Sequence, residues 1–397
     1  MEPVHTRHRA VASRAEPPTA LVEDRSPATQ TRAWGLGPDR HLEGAIPPRA
    51  FYELARRHRI DLNAALERAR PGFEKTYADS GARLPDRIDC FEDFEAAVSL
   101  VAADFDVPPG RHFDLFLRFL SKFAMIGELF TTRELVCDVT AELVRDAANA
   151  HNVRHLELRF SPLYMAARHH PNAPDALIEG VIDGVREASR DAYRAIDLAQ
   201  RYREHGVVAI DLANDEARFP PHPFTEAFKL AQQKGLAVTL HGGETAQSDQ
   251  EAAENVAHIA EVIGARRVGH GIKVLADPEI ANSIRKLGVV LENCHTSNHQ
   301  TGSVPPGEKH PLGEFLRKGF RVTANTDDPA ISGITFTSEL KNVVNEHSLT
   351  LAELGQLLNN AVDGAFLSPL ERAQLGNRMR GDIRTATQKL VDSLTVE

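Results

Sequence analysis

From Asn152 onward the chain alternates short apolar runs with helical stretches, and this alternation constrains its fold more than any other feature. The runs are HLELRF (155–160), VVAIDL (207–212), AVTLH (237–241), RRVGH (266–270), VVLEN (289–293) and RVTANT (321–326). Segments of helical character, such as DALIEGVIDGVREASRDAYRAI and EAAENVAHIAEVIGA, lie between them. Such runs read as buried strands, and the helices supply the crossovers of a parallel sheet. Each run carries a polar residue at or just past its C-terminal end: Arg159, Asp211, His241, His270, Glu292 and Asp327. A (β/α)8 barrel of the TIM type places its chemistry at that end of its strands. An open doubly wound sheet would gather ligands at one switch point and often carries GxGxxG in its first turn, a motif this chain lacks. The expected fold is therefore an α/β, (β/α)8 TIM-type barrel with extra helices.

The 397 residues are compatible with one such domain, because barrels run to roughly 250 residues and beyond with insertions. Residues 1–33 are rich in Arg, Pro, Ala, Ser and Thr without periodicity and read as a disordered tail, leaving 34–397 for the barrel. A helix is expected from Pro47 and Pro48, with Phe51, Leu54 and Ala55 on one face. A second has Phe113, Phe116, Leu117, Leu120 and Phe123 as its apolar face. A net charge of −10 with no Lys/Arg run argues against a nucleic-acid partner. Cys90, Cys137 and Cys294 form no CxxC pair, so neither a disulfide framework nor a thiolate zinc site is expected. No stretch is apolar enough to span a bilayer or to serve as a secretion signal, so a cytoplasmic protein with no membrane partner is expected.

His241-Gly242-Gly243-Glu244 follows a buried strand, which sets an imidazole at the barrel mouth with a carboxylate about one turn beyond. That arrangement suits a metal ligand beside a proton donor. The next strand ends Val268-Gly269-His270-Gly271, where the glycines permit close backbone approach. A later one ends Asn325-Thr326-Asp327-Asp328-Pro329, setting adjacent carboxylates at the same rim, where they serve as ligands or as a helix cap. Imidazoles from separate strands with a carboxylate match Zn2+, which takes nitrogen and oxygen ligands and acidifies water at neutral pH.

With these motifs in place, the chain resembles the adenosine deaminase family of the amidohydrolase superfamily, from about His41 to about Leu340. The resemblance is carried by HLEGAIPP from residue 41, ELRFSP at 157–162, DLANDE at 211–216, HGGET at 241–245, VGHG at 268–271, LENCHTSN at 291–298 and NTDDP at 325–329. It implies that His41, His241 and Asp327 hold the metal, that Glu244 protonates a ring nitrogen, and that His270 orients or deprotonates the attacking water. Asp328 would hydrogen-bond the purine. The implied reaction is metal-dependent deamination of adenosine or a related 6-aminopurine nucleoside, with a purine as the small-molecule partner. The alternatives are deaminases of adenine, AMP or aminodeoxyfutalosine, or a purine-binding homologue without catalysis. A phosphate would need a cationic group at the mouth, for which Arg159 is the candidate.

Three positions depart from the family pattern. Asp39-Arg40-His41 stands where two histidines separated by one residue are expected, so Asp39 either ligates the metal or caps a turn. A second anionic ligand would dampen the acidification of water and open the site to Mn2+ or Fe2+ as well as Zn2+. Asn214 replaces a glycine that lies against the purine, and His295 replaces a proline after Cys294. If Asp39 is a ligand, Asp39→Ala lowers zinc content and ammonia release together, and Asp39→His keeps both. If it only caps a turn, Asp39→Ala leaves both unchanged at a stability cost of about 0.5–2 kcal/mol. Metal analysis alongside an ammonia assay separates the two.

Overall fold

The structure is a computed structural model that describes residues 35–37, 41–42, 44–130, 153–159, 207–213 and 215–394, with isolated positions between 135 and 203. The chain divides into two units, Met1–Thr31 and Arg32–Glu397. The first lies outside the described residues, as does the tail expected over 1–33.

The strands are β1 (Gly35–Gly37), β2 (Val153–Leu156), β3 (Ala209–Ile210), β4 (Ala237–Gly242), β5 (Arg267–His270), β6 (Val290–Asn293) and β7 (Arg321–Ala324). Their pairings are all parallel: β1 with β2, and β3 through β7 in chain order. Just past β1 the backbone bonds in both directions. The His41 N–H donates to the Asp327 carbonyl at 3.2 Å and the Leu42 N–H to the Arg159 carbonyl at 2.7 Å. The segment after β1 is thus joined to the one after β7, as a closing barrel requires. Where HLELRF was expected as a strand over 155–160, β2 instead ends at Leu156, and Arg159 pairs only through an isolated bridge with His41.

The helices are α1 (Pro48–Arg57), α2 (Leu62–Tyr77), α3 (Phe91–Val98), α4 (Phe113–Ile126), α5 (Thr225–Gln233), α6 (Asp249–Ala257), α7 (Pro278–Leu287), α8 (His295–Gln300), α9 (Leu312–Arg317), α10 (Pro329–Ser332), α11 (Phe336–His347), α12 (Leu351–Gly364) and α13 (Pro369–Leu394). Of the helical segment expected from Asp175, only Ile196 is described, and it is helical and buried. The stretch after α6 winds into a π-helix, His258–Ile263, which keeps Ile259, Ala260 and Ile263 buried. Val238, Leu240, Val268, Leu291 and Val322 from the strands share one core with Phe228, Ile284, Phe315 and Leu340 from the helices. A second core joins α1, α3 and α4 to Leu42 and Ile46, at the entrance to the barrel.

As expected, α1 starts with Pro48 in its first turn and buries Phe51, Leu54 and Ala55. Of the apolar face expected of α4, Phe116 is buried and Leu120 and Phe123 pack half-buried against the second core, but Phe113 is exposed, and Leu115, Phe119, Met125 and Ile126 are buried as well. The buried face also carries Arg118 and Lys122, which hid its periodicity. Arg118 donates to the carbonyls of Ser80, Asp104 and Asp106 at 2.7, 3.0 and 2.9 Å, and Lys122 pairs with Asp104 at 2.9 Å.

The barrel interior is charged beneath its mouth. Glu292 on β6 is fully buried between two guanidinium groups, that of Arg159, which hydrogen-bonds it, and that of Arg267, at 3.1 Å. Arg267 also reaches Glu157 at 2.6 Å, and Thr239 donates to Glu292 at 3.0 Å. Buried charges are tolerated only when paired, and removing one partner strands the other. Glu292→Gln should therefore cost about 3–5 kcal/mol of stability. Urea unfolding measures this, and an unchanged midpoint would show that the two arginines do not depend on Glu292.

Candidate active site

Above that floor the strand ends bring six imidazole and carboxylate groups together. His241, at the end of β4, turns Nε2 to within 3.3 Å of His41 Nε2, and His41 Nε2 lies 3.6 Å from Asp327 Oδ1. Four ligands at zinc's bond length of ~2.0–2.1 Å stand roughly 3.3 Å from one another. The facing nitrogens of His41 and His241 with the Asp327 oxygen therefore fit a single ion of that size and donor preference. His241, His270 and Asp327 also bring ligand atoms within 4.8 Å of one another, as do His41, Asp211 and His241.

Asp211 sets the orientation of His241. Its Oδ2 is 3.2 Å from His241 Nδ1, so the ring proton sits on Nδ1 and leaves the Nε2 lone pair facing the site. Burial alone would raise the Asp211 carboxyl. The positive charge of Arg159, 3.0 Å away, and the His241 ring outweigh it and hold the group well below the ordinary carboxylate range. Arg159 is thus committed to Asp211 and Glu292 in the floor, not presented to a phosphate at the mouth.

His270 and Asp327 both adopt left-handed backbone, at φ 59° and 55°. Such strain in non-glycine residues costs on the order of 1–3 kcal/mol and persists where the surroundings impose it. Here it turns both side chains from their strands into one site. Ser297 Oγ donates to Asp327 Oδ2 at 2.8 Å, which leaves Oδ1 toward His41. His270 Nε2 lies 3.5 Å from Glu244 Oε2. Burial pushes the Glu244 carboxyl up; His270 and His241 oppose the shift, and Asp327 and Glu216 add to it. Asp328 is buried at the start of α10, and its side chain makes no capping hydrogen bond. A Cβ on Gly44 would collide with that carboxylate, so the glycine is what admits it.

The expected residues His41, His241, Glu244, His270, Asp327 and Asp328 are thus gathered at one end of the barrel. Asp39 and Asn214 lie outside the described residues.

The family profile described as Adenosine deaminase matches residues 109–381. The adenosine deaminase of Serratia proteamaculans (strain 568) is 32% identical over 380 residues, covering 91% of this chain and 100% of that protein. The chain belongs to the adenosine deaminase family. Solved structures share the fold of this family member. An amidohydrolase from Burkholderia ambifaria, crystallised with bound Zn, superposes with a TM-score of 0.66 at 22% identity, covering 90% of this chain and 92% of that one. The adenine deaminase of Arthrobacter aurescens gives 0.64 at 21% identity, covering 88% and 99%.

In this adenosine deaminase family member, several residues to which the motifs gave no role hold the site in shape. One chain of hydrogen bonds fixes the His270 tautomer. The Leu312 N–H donates to His310 Nδ1 at 3.1 Å, which leaves the proton of that ring on Nε2, facing Asn298 Oδ1 at 3.1 Å. Burial keeps His310 neutral by pushing its pKa well down. Asn298 then donates from Nδ2 to His270 Nδ1 at 2.9 Å, so the His270 proton is on Nε2, toward Glu244. Glu216 accepts from the N–H groups of Gly243, Glu244 and Thr245 at 2.8, 2.8 and 3.0 Å and from Asn255 at 2.9 Å. The only sequence signal for Glu216 is its place as the last residue of DLANDE.

Glu216→Gln replaces one acceptor oxygen with an NH2 that faces backbone donors, freeing the turn that carries Glu244. Turnover should fall on the order of 10- to 100-fold, as for partners that orient catalytic groups, with little change in substrate affinity. An unchanged kcat would mean that the turn holds its shape without Glu216.

Proposed function

We propose that this chain hydrolyses the 6-amino group of adenosine or a related 6-aminopurine nucleoside, releasing ammonia and the 6-oxo product. The observation that carries this reading is the buried Glu244 carboxyl beside His270, next to the converging donors of His41, His241 and Asp327. The family relatives named adenosine deaminase, matched along nearly the whole chain, point to the same chemistry.

In this reading His41, His241 and Asp327 hold Zn2+, and Mn2+ or Fe2+ becomes competitive if Asp39 joins them. The ion supplies Lewis acidity, which lowers the pKa of a water toward ~7. Glu244, kept protonated by burial, gives its proton to the ring nitrogen beside C6 and makes that carbon more electrophilic. His270 carries its proton on the nitrogen that faces Glu244, so it orients the water by donating to the oxygen. This favours the orienting role over the role of base for the neutral ring. The water oxygen adds to C6 and gives up both of its protons: one returns to the Glu244 carboxylate, and the other goes to the amino group, whose bond to C6 breaks as it leaves as ammonia. Asp328 is assigned to a purine nitrogen, and Asn214 to the face of the base. With Arg159 paired in the floor, a nucleoside suits the site better than a nucleotide. The free thiols of Cys90 and Cys294 suit a cytoplasmic protein.

The test is ammonia release from a panel of 6-aminopurines, their nucleosides and their 5′-phosphates. Adenosine or another 6-aminonucleoside should lead, and no release from any member would refute the reading. Glu244→Gln should lower kcat roughly 100- to 10,000-fold and leave product affinity within a few-fold. Equal losses in both would reduce Glu244 to a binding residue.

A further inference from the structure

A second cluster of ligand-type side chains lies between α8 and α11, where the deamination chemistry makes no use of it. His295 and His299 are one turn apart on this helix and so face the same way. Glu346 and His347 reach them from the end of α11. Glu346 Oε2 is 2.9 Å from His295 Nε2 and 3.3 Å from His299 Nε2, and Oε1 is 3.8 Å from His347 Nε2. These separations bracket the roughly 3.3 Å between ligands of a tetrahedral zinc ion. Ligand atoms of His295, Glu346 and His347 all lie within 4.8 Å of one another.

We propose that His295, His299, Glu346 and His347 form a second site for a transition-metal dication of the Zn2+ class, which fastens α8 to α11. His347 is 7% exposed, and among the described residues its Nε2 has no hydrogen-bond partner; nor does the buried Nε2 of His299. Burial without a partner is costly for an imidazole nitrogen and is relieved by a cation. The donor set is mainly nitrogen, which selects Zn2+ over Mg2+ or Ca2+. Burial also keeps the rings in their neutral, ligating form: it pushes His295 down to about 4 and lowers His347 as well. The His310 N–H donates to Glu346 Oε1 at 2.7 Å and steadies the carboxylate. Both nitrogens of the His310 ring are already engaged, so it is not a ligand. The side chains of His299 and Glu346 are 30% and 23% exposed, which gives an ion a way in.

The site has a reason to matter to catalysis. α8 also carries Ser297, bonded to Asp327, and Asn298, bonded to His270 and Glu244. An ion that joins α8 to α11 would stiffen the wall that holds three active-site groups.

The experiment uses the full, tag-free chain, stripped with a chelator, dialysed against Zn2+ or Mg2+ and analysed for bound metal. The wild type should retain one equivalent of Zn2+ more than His299→Gln and one more than Glu346→Gln, with no such difference for Mg2+. His295→Pro is a third variant, because His295 is the first residue of α8, where proline fits a helix. Circular dichroism confirms that the variants are folded. Equal zinc content in wild type and folded variants overturns the proposal. Because the readout is a difference, it does not depend on whether His41, His241 and Asp327 are loaded, and failure of the deaminase reading would leave it standing.

Discussion

The carboxylate of Glu292, enclosed between Arg159 and Arg267, is the interaction on which the working end of the barrel rests. A lone buried charge costs several kcal/mol, and this interior tolerates charge because each ion faces a counter-ion. The network draws in Glu157 after β2, Asp211 after β3, Thr239 on β4, Arg267 on β5 and Glu292 on β6.

From this floor the orientation passes upward by direct contact. Arg159 holds the Asp211 carboxylate ionised, Asp211 holds the proton of His241 on Nδ1, and His241 presents Nε2 beside His41. At the end of the neighbouring strand β5, His310 fixes Asn298 and Asn298 fixes His270. The positive φ angles of His270 and Asp327 are the strain these contacts sustain. Glu216 and Ser297 complete the frame by holding the Glu244 turn and the Asp327 carboxylate.

Much of this was legible in the sequence. Buried parallel strands read as apolar runs, and polar residues at their ends are conspicuous, which is why His241, His270 and Asp327 could be placed together from spacing alone. Of the supporting groups only Asp211 was legible, as a polar residue at a strand end; what these groups bond to was not. Asp211, Glu216, Asn298 and His310 act through partners 30, 28, 28 and 12 residues away, and no local pattern encodes such pairings. The buried face of α4 was read only in part, because Arg118 and Lys122 occupy positions that an amphipathic pattern assigns to solvent. His295 stood out only as a departure from the family pattern, and its setting beside His299, Glu346 and His347 needed the fold.

In the proposed reaction, deamination depends on an ion held at the barrel mouth by His41, His241 and Asp327. The most direct test is the rate of ammonia release from adenosine, or from the preferred 6-aminopurine, by protein treated with a chelator and then resupplied with Zn2+. Activity should be lost on chelation and return with Zn2+, and His241→Ala, treated the same way, should stay inactive. Full activity in the metal-free protein, or an active His241→Ala, would contradict it.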